Sequence, residues 1–141
     1  MLLTILTALG TLGACTAARW YLDRSSRRET ECAKGRVRLL ALWNESGGFG
    51  LTLRMQTLIA ASFAALLATL AQYRRSRLGA GLLLGGGISN LLERLRGGRV
   101  YDYVQFPKAP GKLKNFVFNL ADFAILLGGG MLMNARRKHR K

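Results

Sequence analysis

Four apolar runs, each close to the length of a bilayer-crossing helix, leave this chain few ways to fold. Residues 2–22 are interrupted only by Arg19, and residues 55–73 carry no charge at all. Residues 78–95 end at Glu93 and Arg94, while residues 115–134 hold a single charge, Asp122. A helix needs about twenty residues to cross the hydrocarbon core, and about seventeen suffice. A soluble helix of that length should show a polar face, yet residues 55–73 offer only Gln56, Thr57, Ser62, Thr69 and Gln72. The reading is an all-α membrane protein, a single polytopic membrane domain over 1–141 with four transmembrane helices. Their expected spans are approximately 2–22, 55–73, 78–95 and 115–134, the first requiring that Arg19 reach an interface.

The formal charge of +15, from 22 basic against 7 acidic residues, first suggests a polyanionic partner. Its distribution argues against nucleic acid. Long uncharged blocks separate the basic clusters, and aromatics are not interleaved with them. Basic loops between apolar spans fit lipid head groups instead, so membrane lipid is the expected partner. Eight Arg or Lys crowd the turn 74–77 and the tail 135–141, which favours both termini in the cytoplasm. Leu12-Gly13-Ala14-Cys15 is similar to a lipoprotein processing signal, but no basic residue precedes it, and a first helix that stays attached is expected. Two cysteines and one histidine, His139, give no metal pattern and no internal Ser-His or Cys-His pair unless the tail folds back. Neither a metal nor a cofactor is expected.

Carboxylates remain for proton-transfer chemistry. The chain has three aspartates, Asp23, Asp102 and Asp122, the last two beside or inside apolar runs. An ionisable group at membrane depth is costly and is a candidate site for that reason. Two carboxylates in one low-dielectric place are simple machinery for activating water. Asn119 and Asp122 are three apart, and Asn90 and Arg94 four apart, so each pair shares a face if helical. Gly85-Gly86-Gly87 would let a neighbouring helix approach closely. Taken singly, each pair is better read as polar glue between helices; together at one end of adjacent helices they suggest a site.

In chain order, Tyr21-Leu22-Asp23, Asn44 followed by Gly47-Gly48-Phe49-Gly50, Asn90-Leu91-Leu92-Glu93-Arg94, Val100-Tyr101-Asp102-Tyr103 and Phe118-Asn119-Leu120-Ala121-Asp122 resemble the motifs of the lipoprotein signal peptidase (signal peptidase II) family. The resemblance implies a four-helix aspartyl endopeptidase with a small extramembrane β-containing element. It implies the bacterial inner membrane, both termini cytoplasmic and an active site towards the outer leaflet. Its substrates would be prolipoproteins bearing a diacylglyceryl cysteine, cut just before that cysteine. Asp102 and Asp122 would be catalytic, with Asn44, Asn90, Arg94 and Asn119 as a supporting polar shell. Asp23 would be a further structural or binding carboxylate. The chain departs from the family at Glu93, where Asp is usual, at Ser46, where Gly is usual, and in a short, Arg-rich stretch from Asp23 to Asn44. An alternative is a non-catalytic binder of lipidated peptides or partner helices on the same fold, and a second is a proton or ion pathway.

Overall fold

A computed structural model describes residues 1–24, 30–45 and 54–138. Ser46, Gly47, Gly48, Phe49, Gly50 and His139, all singled out above, lie outside the described residues. In order come helix α1 (Leu2–Arg24), strands β1 (Glu31–Cys32) and β2 (Val37–Asn44), helices α2 (Met55–Gln72) and α3 (Arg77–Gly97), and strand β3 (Val100–Gln105). A 3-10 turn (Gly111–Asn115), strand β4 (Val117–Phe118) and helix α4 (Leu120–Lys138) complete the chain. The strands form one antiparallel sheet in the order β1-β2-β3-β4.

Helix α3 is the hub, because its glycine triplet turns one residue towards each of the other helices. A Cβ on Gly85 would stand 2.5 Å from the Ala8 carbonyl of α1, and one on Gly86 would stand 2.7 Å from the Ala121 carbonyl of α4. One on Gly87 would meet Leu66 of α2 at 3.0 Å. The first two separations are backbone contacts that no side chain tolerates, so glycine sets the helix spacing. Ser76 caps the start of α3, accepting the Gly79 N–H at 3.1 Å. Gly98, left-handed at φ 67°, ends it and donates its N–H to the Arg94 carbonyl.

Two helices, α1 and α2, are long and apolar enough to cross a membrane by length and composition; α4 contributes a shorter apolar stretch, Leu120–Ala135. Their large apolar residues, Leu6, Leu9, Phe63, Leu67, Leu126 and Leu127 among them, face outward. Thr7, Ser62 and Thr69 each donate to the carbonyl four residues back, whereas the buried Thr4 Oγ1 has no hydrogen-bond partner among the described residues.

The run 115–134 is not helical from its start. Val117 and Phe118 pair with Gln105 and Val104 as an edge of the sheet, and α4 begins only at Leu120. β-Branched and aromatic residues suit a strand, and the asparagine that follows them caps the helix. Asn119 therefore stands outside the helix rather than on its face.

Candidate active site

Local sequence builds the site at the start of α4. Asn119 Oδ1 accepts the Asp122 N–H at 3.0 Å, and Asp122 Oδ2 accepts the Asn119 N–H at 3.0 Å. This is a reciprocal capping box, with Asn and Asp in the places usually held by Ser or Thr and Glu. The next free N–H, that of Leu120, is accepted by the Tyr103 hydroxyl at 2.9 Å. Three groups that a helix start leaves unsatisfied are thus met, and Asp122 is locked into the first turn.

Asp102 comes from the sheet. Its Oδ2 accepts from Asn44 Nδ2 at 2.9 Å and its Oδ1 from Asn119 Nδ2 at 2.8 Å. A bulge in β2 makes the first of these bonds possible. Arg38 and Leu39 lie opposite Gln105 and Val104, but beyond them Leu42, Trp43 and Asn44 lie opposite Asp102, Tyr101 and Val100. One extra residue on β2 shifts the alternation and puts Asn44 on the same face as Asp102.

Asn90 on α3 joins the halves. Its Nδ2 donates to Asp122 Oδ1 at 3.1 Å, and its Oδ1 accepts from Asn119 Nδ2 at 3.2 Å. Asn119 consequently touches both carboxylates and Asn90, and it is 4% exposed, as is Asp102. Around these groups is a pocket of about 40 Å³ lined by Asn44, Asn90, Arg94, Asp102, Asn119 and Asp122 with Val100 and residues 116–118. That is room for a water molecule or two. Arg94 brings a cation to the wall, and its Nε is buried with no hydrogen-bond partner among the described residues. Burial pushes the Asp102 carboxyl up to about 6. The Asn44 hydrogen bond opposes that rise, the charge of Asp122 adds to it, and Asn119 and Arg94 oppose it.

Six of the seven candidate residues meet at this pocket. Asp23 does not: it is exposed near the end of α1 and lines none of it. Among the described residues, no three His, Cys, Asp or Glu side chains come together as a metal site would need. Three positioning residues were not among the candidate site residues read from the sequence. Glu93 accepts the Tyr101 N–H at 2.8 Å and forms an ion pair with Arg19 of α1 at 3.5 Å, so it ties α1 and α3 to the strand that carries Asp102. Tyr103 caps α4, and nothing in a strand tyrosine announces that.

The chain is similar to known proteins. The family described as Signal peptidase (SPase) II matches residues 7–136. A protein named lipoprotein signal peptidase from Desulfitobacterium hafniense is 49% identical over 57 residues, covering 40% of this chain and 34% of its own length. Another from Methylorubrum extorquens is 36% identical over 102 residues, covering 68% of this chain and 56% of its own. The match thus spans about a third of the first relative and about half of the second. A bacterial membrane enzyme solved by the in meso method at 2.3 Å resolution superposes with a TM-score of 0.81 at 17% identity, covering 98% of this chain and 89% of that one. A second, solved at 1.9 Å, gives 0.77 at 16%, covering 94% and 90%. At these identities the likeness is one of fold.

Proposed function

The chain belongs to the signal peptidase II family, and from that premise we propose that it is a membrane aspartyl endopeptidase acting on diacylglyceryl-modified prolipoproteins. It removes the signal peptide by cutting just before the lipidated cysteine. The observation that carries this reading is the meeting of Asp102 and Asp122, from a strand and a helix, on one asparagine.

Two neighbouring carboxylates do not both ionise cheaply, so the pair holds one proton in its working state. Ionised Asp122 takes a proton from a water in the pocket as the water oxygen attacks the scissile carbonyl. Asp102 gives its proton to the carbonyl oxygen, which becomes a hydroxyl of the tetrahedral intermediate. When the C–N bond breaks, the proton held by Asp122 passes to the leaving amine, and Asp102 recovers one from the collapsing hydroxyl. Asn44, Asn90 and Asn119 fix the carboxylate orientations so that little reorganisation is needed. The unpartnered Nε of Arg94 is available to a substrate carbonyl.

The outward apolar faces of α1, α2 and α4 support embedding in a bilayer. Arginines at the end of the bundle away from the aspartates support both termini in the cytoplasm, with the site towards the outer leaflet of the bacterial inner membrane. The diacylglyceryl group of the substrate then holds the cleaved bond beside the pair.

The test uses purified wild type, Asp102→Asn and Asp122→Asn in nanodiscs with a diacylglyceryl-modified prolipoprotein, following signal peptide release by mass. Wild type cuts before the lipidated cysteine, and each variant loses at least about a thousandfold in rate. Near-normal cleavage by either variant sinks the mechanism. No cleavage by folded wild type across several prolipoproteins gives the fold to a binding role.

A further inference from the structure

Away from the aspartates, an apolar groove of about 550 Å³ opens between α1 and α2, a volume typical of small-ligand sites. Leu84 and Ile88 of α3 floor it, with Leu9 on one wall and Phe63, Leu67 and Leu70 on the other. It exists because α1 and α2 both pack on α3 and scarcely on each other. One end of the groove is marked by Met1 and Tyr73. There the chain turns through Arg74, Arg75, Ser76 and Arg77, whose three arginines are exposed. The Arg74 guanidinium lies over the Tyr73 ring, 6.0 Å from its centroid, at the mouth of the groove. Among the described residues no carboxylate shares this end: Asp23 and Glu93 are near the far ends of α1 and α3, Glu31 and Glu45 on or beside the strands, and Asp102 and Asp122 in the site.

We infer that the groove takes one acyl chain of an anionic phospholipid, whose phosphate is held by the Arg74–Arg77 turn. An apolar channel matches an acyl chain, and three arginines at its mouth with no acid nearby match a negatively charged headgroup. A zwitterionic lipid fills the channel equally well but gains less from the arginines. A second copy of the chain, related by a two-fold axis along the membrane normal, brings two arginine turns to the same leaflet and is opposed by their repulsion. The bound lipid closes the gap that the helices leave and tethers α2, which packs chiefly on α3. The inference rests on the proposed embedding in a bilayer and not on peptide cleavage.

The experiment places the protein in nanodiscs of equal phosphatidylglycerol and phosphatidylcholine, then weighs it with its retained lipid by native mass spectrometry after transfer to mild detergent. Wild type retains one phosphatidylglycerol per chain, preferred roughly tenfold over phosphatidylcholine. The triple variant Arg74→Gln, Arg75→Gln, Arg77→Gln loses the preference, and Leu67→Trp, which narrows the groove, lowers total retention. The arginines are exposed, so the triple variant keeps its fold and carries the test even where Leu67→Trp does not. Equal retention of both lipids, or a preference that survives the triple variant, overturns the proposal. A lipid-free dimer overturns it too and gives the groove to a second copy. Cleavage is followed in parallel: selective lipid retention without cleavage leaves this site standing and removes the peptidase reading instead.

Discussion

Asn119 does more at the residue level than either aspartate. Its side-chain oxygen caps α4 while its side-chain nitrogen reaches Asp102 and Asn90. The two duties separate by substitution. Asn119→Ala removes both, costing about 1 kcal/mol of stability through the lost cap and a large part of the rate. Asn119→Ser restores the cap but not the bridge, so its melting temperature recovers while its kcat does not. Recovery of both together in the serine variant would show that the residue is structural glue only. Asn44 tunes rather than builds. With Asp122 ionised, the one proton of the pair is on Asp102, whose carboxyl burial raises to about 6. The one-proton form exists below that pH and is lost above it, so kcat/KM falls on the alkaline side of about pH 6. Asn44 donates to the ionised carboxylate, so Asn44→Ala disfavours the charge and moves that limb upward by about one pH unit. A limb that stays put or moves down contradicts the assignment. The aspartates were conspicuous in the sequence because nearly everything around them is apolar, whereas the double role of Asn119 was not, since spacing alone suggested a shared helical face.

Among the elements, the bulged strand β2 is the one whose shape reaches the chemistry. Without the bulge, the register of Arg38 and Leu39 continued along the same strand would set Ala41 against Asp102 and turn Asn44 to the opposite face. The same shift sets Trp43 against Tyr101, their rings 5.0 Å apart. Inserting one alanine between Leu42 and Trp43 should leave a paired sheet and turn Asn44 to the opposite face, lowering the cleavage rate at least about tenfold while far-ultraviolet dichroism stays close to wild type. An unchanged rate would mean that the contact is incidental. Nothing in Val37-Arg38-Leu39-Leu40-Ala41-Leu42-Trp43-Asn44 marks the bulge, because either register offers the strand comparable apolar faces. The start of α4 escaped the sequence for a related reason: residues 115–134 are mostly apolar whether helix or strand, and the capping box is recognised only once Asn119 leaves the helix.

In the whole molecule, α3 carries the arrangement, and its glycines fix how near α4 and its Asp122 stand. Gly86→Ala would put a methyl 2.7 Å from the Ala121 carbonyl, one residue before Asp122. The expected cost is about 1–3 kcal/mol from overpacking, with loss of cleavage as α4 moves away. Gly97→Ala on the same helix meets nothing within 4 Å and is expected to leave melting temperature and rate unchanged. Equal effects from the two variants would mean that helix propensity, not spacing, is being read. The sequence by itself determined the number of helices, the medium their outward faces call for and the residue types available for chemistry, because hydrophobicity and charge are properties of each segment alone. The tertiary structure alone decided which of those residues meet: Asp23 stays apart, Glu93 finds Arg19, and Asn44 reaches Asp102 across a bulge. Such meetings depend on register and on close backbone approach, and both are fixed by contacts between segments distant in the chain.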